Sequence, residues 1–476
     1  MTAPGTGPCD TLAATARSGG GAAGTGALIA TVLGSSIALV DGSVVNVALP
    51  AMGRALSADG AGVQWIVNGF MLPLSALVLI GGALADRVGR KRVFLAGLVI
   101  FTLASLACMV APTLGFVIAA RVVQGLGAAL LVPASLAILG ADFEGAARAR
   151  AIGTWAAAGA MGGALGPIIG GWLVDHVGWR AIFALIVPIA LAAFAMGALY
   201  VPGGRDADAR PPDWYGGALA TVGLGLLVWG LTMLTSGMGE RGAGAAMLGA
   251  AMLGAGTIAL VAFVALEARL GDRAMVPLAL FGTRVFTGVT LLTFLLYAAL
   301  AGALLLLPYL LIARGWSATA AGTAVLPLPL IMGLGSRSVG ALAAKIGARP
   351  LLTLGPMVTG AGFALFALIP DSGIDYVRNI LPGMLLVGIG MTAAVAPLTT
   401  TVMTAVDQHH AGAASGVNNA TARIGGMIAV ALIGLVLTDN GRGVSLAAFH
   451  GAAIAAAVMA VGAGLCGWLL VRVERA

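Results

Sequence analysis

Charge is what this chain has least of. Asp, Glu, Lys and Arg make up 9% of its 476 residues, and only Lys91 and Lys345 are lysines. Soluble globular domains carry about 25% charged residues, and they cannot hide a composition that is 60% hydrophobic with a mean hydropathy of +1.04. A soluble enzyme or binding domain is therefore excluded. The two lysines also exclude an ATP-driven pump, because neither sits in the GxxxxGK[ST] loop that cradles phosphates. Histidine is equally sparse: His176, His409, His410 and His450 form no HExxH pair, and no cluster of acids could hold Mg²⁺. No metal and no cofactor is expected. Cysteine is limited to Cys9, Cys108 and Cys466, an odd number at wide spacing, which excludes a disulfide framework and a CxxC metal site. The formal charge of +7 comes from basic residues scattered singly between apolar stretches, without the Lys/Arg stripe of a nucleic-acid binder.

What the chain does have is apolar length. A membrane span needs about 20 mainly apolar residues. Spans are expected near 27–51, 63–85, 93–111, 114–138, 151–174, 180–201, 214–236, 243–268, 285–312, 319–344, 350–370, 378–406, 412–438 and 447–471, fourteen in all. The even spacing leaves no filter-like loop for a channel. The 73 glycines suit helices that pack closely through small residues. Residues 1–26 lack an apolar core and read as a disordered tail, as do 472–476. Sixteen of the basic residues fall on the side of the tails and six on the opposite side, which predicts that both termini are cytoplasmic. The expected site is a bacterial cytoplasmic membrane, with a monomeric chain.

An internal repeat organises the spans. Gly82-Ala83-Leu84-Ala85-Asp86-Arg87-Val88-Gly89-Arg90-Lys91-Arg92 after the second span aligns with Gly340-Ala341-Leu342-Ala343-Ala344-Lys345-Ile346-Gly347-Ala348-Arg349 after the tenth at an offset of 258 residues, with Gly, Ala, Leu, Ala, a base, a β-branched residue, Gly and a base in corresponding places. Two parallel six-helix bundles, 27–201 and 285–471, are expected, with two extra spans inserted in 202–284.

Of eighteen acidic residues only Asp41 lies deep inside a span, ten residues or about 15 Å from its outer end. A carboxylate at that depth is costly unless paired or hydrated, so Asp41 reads as a proton carrier; the alternative is a permanently paired acid that ties spans together. Arg121 enters the fourth span by about 10 Å and can reach the same depth. Asn46 and Gln124 are placed to line that region, with Gln64 and Asn68 at the outer mouth. In the thirteenth span Ser415, Asn419 and Arg423 recur at i, i+4 and i+8 and form one polar stripe. With Asp41 set against Arg121, Arg337 and Arg423, the interior carries about +2, which favours neutral or anionic amphiphiles over divalent cations. Gly162, Gly166 and Gly170 recur every four residues, so another helix can approach closely, and Pro167 bends the span.

Taken together, these segments resemble the major facilitator superfamily, and specifically its fourteen-span drug:proton antiporter branch, over residues 27–471. The resemblance is carried by Leu39 to Pro50, Gly82 to Arg92, Arg121 to Gly127, Gly162 to Gly171, Leu307 to Leu310 and Ala411 to Asn419. It implies an all-α membrane fold and proton-coupled export of small amphiphilic compounds by alternating access. Arg121 would then govern the protonation of Asp41. Gly82, Asp86, Arg87, Gly89 and Arg90 would form a gating loop in which Asp86 and Arg87 latch the outward-facing state. Gly162, Gly166, Pro167, Gly170 and Gly171 would form the antiporter signature. Leu311 replaces a polar amide common in the branch, and Ile186 and Val187 replace an Asn-bearing stretch, which makes the pathway more apolar. An exporter of a dedicated metabolite or lipid, or a proton symporter, remains the competing reading.

Overall fold

The computed structural model describes residues 22–204, 212–235, 243–271, 274–407, 411–438 and 443–471. The first 21 residues, with Cys9, and the tail 472–476 lie outside the described residues, as do His409, His410 and Arg210. Every expected span has a helix at its place. The first six are α1 (Ala22–Ala55), α2 (Gly60–Val88), α3 (Arg90–Val110), α4 (Leu114–Asp142), α5 (Gly145–His176) and α6 (Ala181–Tyr200). Two more follow, α7 (Trp214–Thr235) and α8 (Ala243–Leu270). The rest are α9 (Arg284–Ala313), α10 (Ala318–Ala324), α11 (Pro327–Ile346), α12 (Ala348–Phe366), α13 (Leu381–Thr404), α14 (Ala411–Leu432) and α15 (Leu446–Leu470).

Three boundaries differ from expectation. Five residues assigned to the N-terminal tail already belong to α1. The tenth span is divided between α10 and α11, because Pro327 and Pro329 supply no backbone donors and Pro327 instead starts the second piece. The thirteenth stops at Leu432, passes through a 3₁₀ turn, Ile433–Leu435, and ends in a two-residue ladder, β1 (Leu437–Thr438) with β2 (Gly443–Val444). Among the described residues, twelve helices are long and apolar enough to cross a membrane, with α10 and α11 taken as one. The exceptions are α12, which opens on Arg349-Pro350, and α14, which carries Ser415, Asn418, Asn419, Thr421 and Arg423.

The helices start where short polar side chains satisfy their first amides. Asp59 accepts from Gly62 N at 2.7 Å, Thr283 from Phe286 N at 3.2 Å and Ser317 from Ala320 N at 3.1 Å. The repeat is visible in the backbone. Gly89 (φ 122°) joins α2 to α3, and Gly347 (φ 84°), 258 positions later, joins α11 to α12; both lie in the left-handed region that glycine tolerates. Two residues beyond each, Lys91 Nζ donates to Ala198 O at 2.7 Å and Arg349 Nη2 donates to Trp468 O at 2.8 Å. Each cation thus meets the carbonyl end of the last helix of its own group, where the helix dipole favours positive charge.

Packing separates two groups. In one, α4 lies against α2 and α3, and α1 against α5 and α6; in the other, α12 lies against α13 and α15, and α9 against α14 and α15. The pair α7 and α8 pack on each other, and α7 rests on α2 and α14. The groups meet where α2 runs along α14, α1 along α9, and α5 crosses α10.

Candidate functional site

The centre of the first group is a closed polar network. Asp41, on α1, and Arg121, on α4, are each 1% exposed and form an ion pair through Oδ2 and Nη1. Gln124, one turn along α4, bridges them: its Oε1 accepts from Arg121 Nη1 at 2.7 Å and its Nε2 donates to Asp41 Oδ1 at 3.0 Å. The same amide donates to Ser105 Oγ on α3 at 2.9 Å, and Ser105 donates to Phe101 O at 2.8 Å. Arg121 Nε donates to the Ile66 carbonyl at 3.0 Å, and its guanidinium lies 4.4 Å from the centre of the Phe70 ring. Both Asp41 oxygens therefore accept a hydrogen bond. The sequence reading brought Asp41, Arg121 and Gln124 together correctly. It missed Ser105, an ordinary small polar residue in an apolar helix.

A cavity of about 340 Å³ lies between the two groups. Gly42 and Asn46 of α1, Phe70 and Met71 of α2, Arg121, Tyr297 and Leu304 of α9, and Asn419 and Arg423 of α14 are on its wall. Asp41 is not; Arg121 stands on the wall and Asp41 behind it. A larger cavity, about 390 Å³, lies within the second group between α9, α14 and α15, but its wall is Ala, Gly, Leu, Val, Ile, Met and Phe, with nothing to orient a polar ligand.

The remaining predicted cavity residues divide. Asn419 and Arg423 reach the cavity, whereas Ser415, a turn earlier, only gives its carbonyl to Asn419 Nδ2 at 3.3 Å. Gln64 and Asn68 are buried in α2 and line neither cavity described above. The Asn68 amide has no hydrogen-bond partner among the described residues. Arg337 is exposed on α11 and also lines neither cavity, so on the wall of the 340 Å³ cavity Arg423 is the charge without a described ion-pair partner. Leu311 and Ile186 are packed in the core, and Val187 is half-buried.

Residues 31–430 match the sequence profile of the Major Facilitator Superfamily. The chain belongs to that family. Among similar proteins, the multidrug resistance protein Stp of Mycobacterium tuberculosis (strain CDC 1551 / Oshkosh) is 34% identical over 86% of this chain and 75% of that one. The methylenomycin A resistance protein of Bacillus subtilis (strain 168) is 33% identical over 87% and 88%. The cephamycin export protein CmcT of Amycolatopsis lactamdurans is 35% identical over 88% and 86%. The fold matches a bacterial homologue of the lysosomal transporter Spinster in an inward-facing, unoccupied conformation, with a TM-score of 0.66, 17% identity and coverage of 93% and 96%. It also matches a D-xylose–proton symporter, at 0.65, 15%, and 94% and 98%. This major facilitator is a multi-pass membrane transporter and not an enzyme.

In this facilitator the span 5 glycines serve two neighbours. A Cβ at Gly162 or Gly170 would lie 2.9 or 2.6 Å from Val40 or Val44 of α1, and one at Gly166 would strike Ser43. Gly171 and Pro167 face the other group instead: a Cβ at Gly171 would strike Ala318 O, and one at Gly322 would strike Pro167 O. Asp175 completes this crossing. Its carboxylate accepts from Ala318 N at 3.0 Å, Thr319 N at 2.8 Å and Thr319 Oγ1 at 2.6 Å, so an acid of the first group caps α10 of the second. Leu328, in the first turn of α11, is the one buried residue of that helix, and the rest of its length is half-buried or exposed. In the gating loop Asp86 pairs with Arg90 Nε at 3.0 Å, one turn on in its own loop, rather than across the groups; Arg87 is exposed. Gly82 makes only ordinary contact, and it is Gly81 whose Cβ would strike the Ala129 carbonyl.

Proposed function

We propose that this transporter exports small amphiphilic compounds, antibiotics among them, in exchange for protons, with Asp41 as the proton-carrying group and Arg121 as its relay to the cavity. The observation that carries the reading is the double role of Arg121, which neutralises Asp41 while its side chain stands on the cavity wall. A proton on Asp41 removes the charge that holds the guanidinium and places a second donor where one already points. Arg121 is then released toward the cavity, and its return requires the proton to leave. Export is supported by relatives named for resistance to, or export of, antibiotics.

The packing supports alternating access. The bundles 27–201 and 285–471 rock about their shared faces, with 202–284 as an added pair. Gly171, Gly322 and Asp175 close one end while α5 and α11 part at the other, and Asp86, Arg87 and Arg90 re-pair across the bundles when the closed end opens. The distribution of basic residues supports cytoplasmic termini in a bacterial cytoplasmic membrane. The protein acts as a single chain.

Everted vesicles carrying a pH-sensitive dye test this reading. A screen begins with methylenomycin A, puromycin and cephamycin, the compounds in the relatives' names. Addition of an exported compound should dissipate the proton gradient, and Asp41→Asn, inserted at equal level, should abolish the response. Undiminished coupled flux in that variant would remove Asp41 from the mechanism.

A further inference from the structure

The proposed exchange cycle draws its polar groups from the first bundle and leaves one charge unused, the guanidinium of Arg423. We infer that Arg423 anchors an acidic group on the exported compound, so that preferred substrates are amphiphilic anions: a carboxylate, phenolate or sulfonate on an apolar or aromatic body. This inference rests on the cavity being the export site.

Arg423 stands on the cavity wall from α14, and among the described residues it has neither an ion pair nor a hydrogen bond; no acidic side chain lines that wall. Arg121, the other cation there, is already neutralised by Asp41 and also bonded to Gln124 and Ile66. The two are therefore not equivalent, since an anion approaching Arg121 must compete with a protein carboxylate and one approaching Arg423 need not. A guanidinium cannot relieve its desolvation by giving up a proton, so Arg423 keeps its charge in the cavity and the missing counter-ion has to arrive with the ligand. Its planar fork of donors matches a carboxylate or sulfonate through two parallel bonds. Tyr297, Leu300, Leu304 and Phe70 supply the surface for an apolar body beside it. A lipophilic cation would meet the same wall with unfavourable charge.

The test compares anilinonaphthalenesulfonate with its uncharged parent, phenylnaphthylamine, by equilibrium dialysis against the full chain in phosphatidylcholine nanodiscs, with empty discs subtracted. The sulfonate should bind at least about tenfold more tightly than the parent, the advantage of one charge-assisted hydrogen bond. Arg423→Gln should remove that advantage while parent binding stays within about twofold, which also shows that the variant is folded; Arg423→Lys should restore most of it. An unchanged ratio in Arg423→Gln overturns the assignment, as does wild-type protein that binds the parent or tetraphenylphosphonium more tightly than the sulfonate. Loss of sulfonate binding in discs containing phosphatidylglycerol would assign Arg423 to a lipid headgroup and overturn it too. Proton release on sulfonate addition is followed separately in everted vesicles. A sulfonate preference without proton exchange would defeat the antiport reading and leave Arg423 as the anion anchor.

Discussion

The two six-helix groups share a plan but are polar in opposite ways. In the first, Asp41, Arg121, Gln124 and Ser105 satisfy one another and are shut away from the cavity except through Arg121. In the second, Thr293 and Asn418 form a single bond at 2.7 Å between α9 and α14, and Arg423 faces the cavity with no described partner. A saturated network is defined by its internal pairs, so a proton added to one member disturbs them all. An unsatisfied charge instead gains most from something that arrives from outside. On the reading proposed here, the first group handles the proton and the second recognises the compound.

The sharpest way to break that contrast is to remove each arginine in turn. Arg121→Leu leaves Asp41 buried without its cation, and unfolding in detergent should show a loss of about 3–5 kcal/mol together with loss of coupled flux. Arg423→Leu removes a charge that has no protein partner, and its stability should stay within about 1 kcal/mol of wild type or rise. If the two variants are equally destabilised, Arg423 has a structural partner and the division of labour collapses. Gln124→Leu should fall between them, at about 1.5–3 kcal/mol, because it withdraws bonds to two charged groups. Ser105→Ala removes two neutral bonds, one from Gln124 and one to the Phe101 carbonyl, and should cost about 1–2 kcal/mol, with coupling retained. A loss of coupling there would mean that the proton relay extends into α3.

How much of this was legible in sequence depends on what each feature needed. Spans were legible because lipid demands a long apolar run and tolerates few charges, so α1 to α9 lie within a few residues of expectation. Asp41 and Arg121 were legible because each is an ionisable residue at depth, and such residues must find one another. Gln64 and Asn68 were legible only as an i, i+4 pair, whose spacing places them on one helix face without saying which neighbour that face meets. Depth along a span also differs from burial. Glu267, read as a span-end acid, is fully buried and accepts from Val276 N at 2.6 Å, where it fixes the chain after α8. The contacts of Gly171 with Ala318 and of Pro167 with Gly322 could not be paired in advance, because each joins two bundles about 150 positions apart and only the crossing of α5 over α10 brings them about.

Asp175 and Asp86 allow a finer version of the comparison, between acids at the two ends of the molecule. Asp175 crosses from one group to the other and holds the first amides of α10, whereas Asp86 stays in its own loop with Arg90, partly exposed. Replacing a capping carboxylate typically costs about 1 kcal/mol, which corresponds to about a fivefold shift in a two-state equilibrium. Asp175→Ala should therefore open the closed end about fivefold more often. Val325 lines a small cavity just beneath that end, so Val325→Cys reports the opening as faster labelling by a membrane-impermeant maleimide added from the side opposite the termini. Asp86→Ala should not raise that rate, because its ion pair in this state joins residues of a single loop and partly exposed pairs contribute about 0–1 kcal/mol, while loss of the cross-bundle pairing proposed for the opened state would lower it. Equal effects from the two substitutions would show that the ends are coupled through the whole bundle rather than held by local contacts.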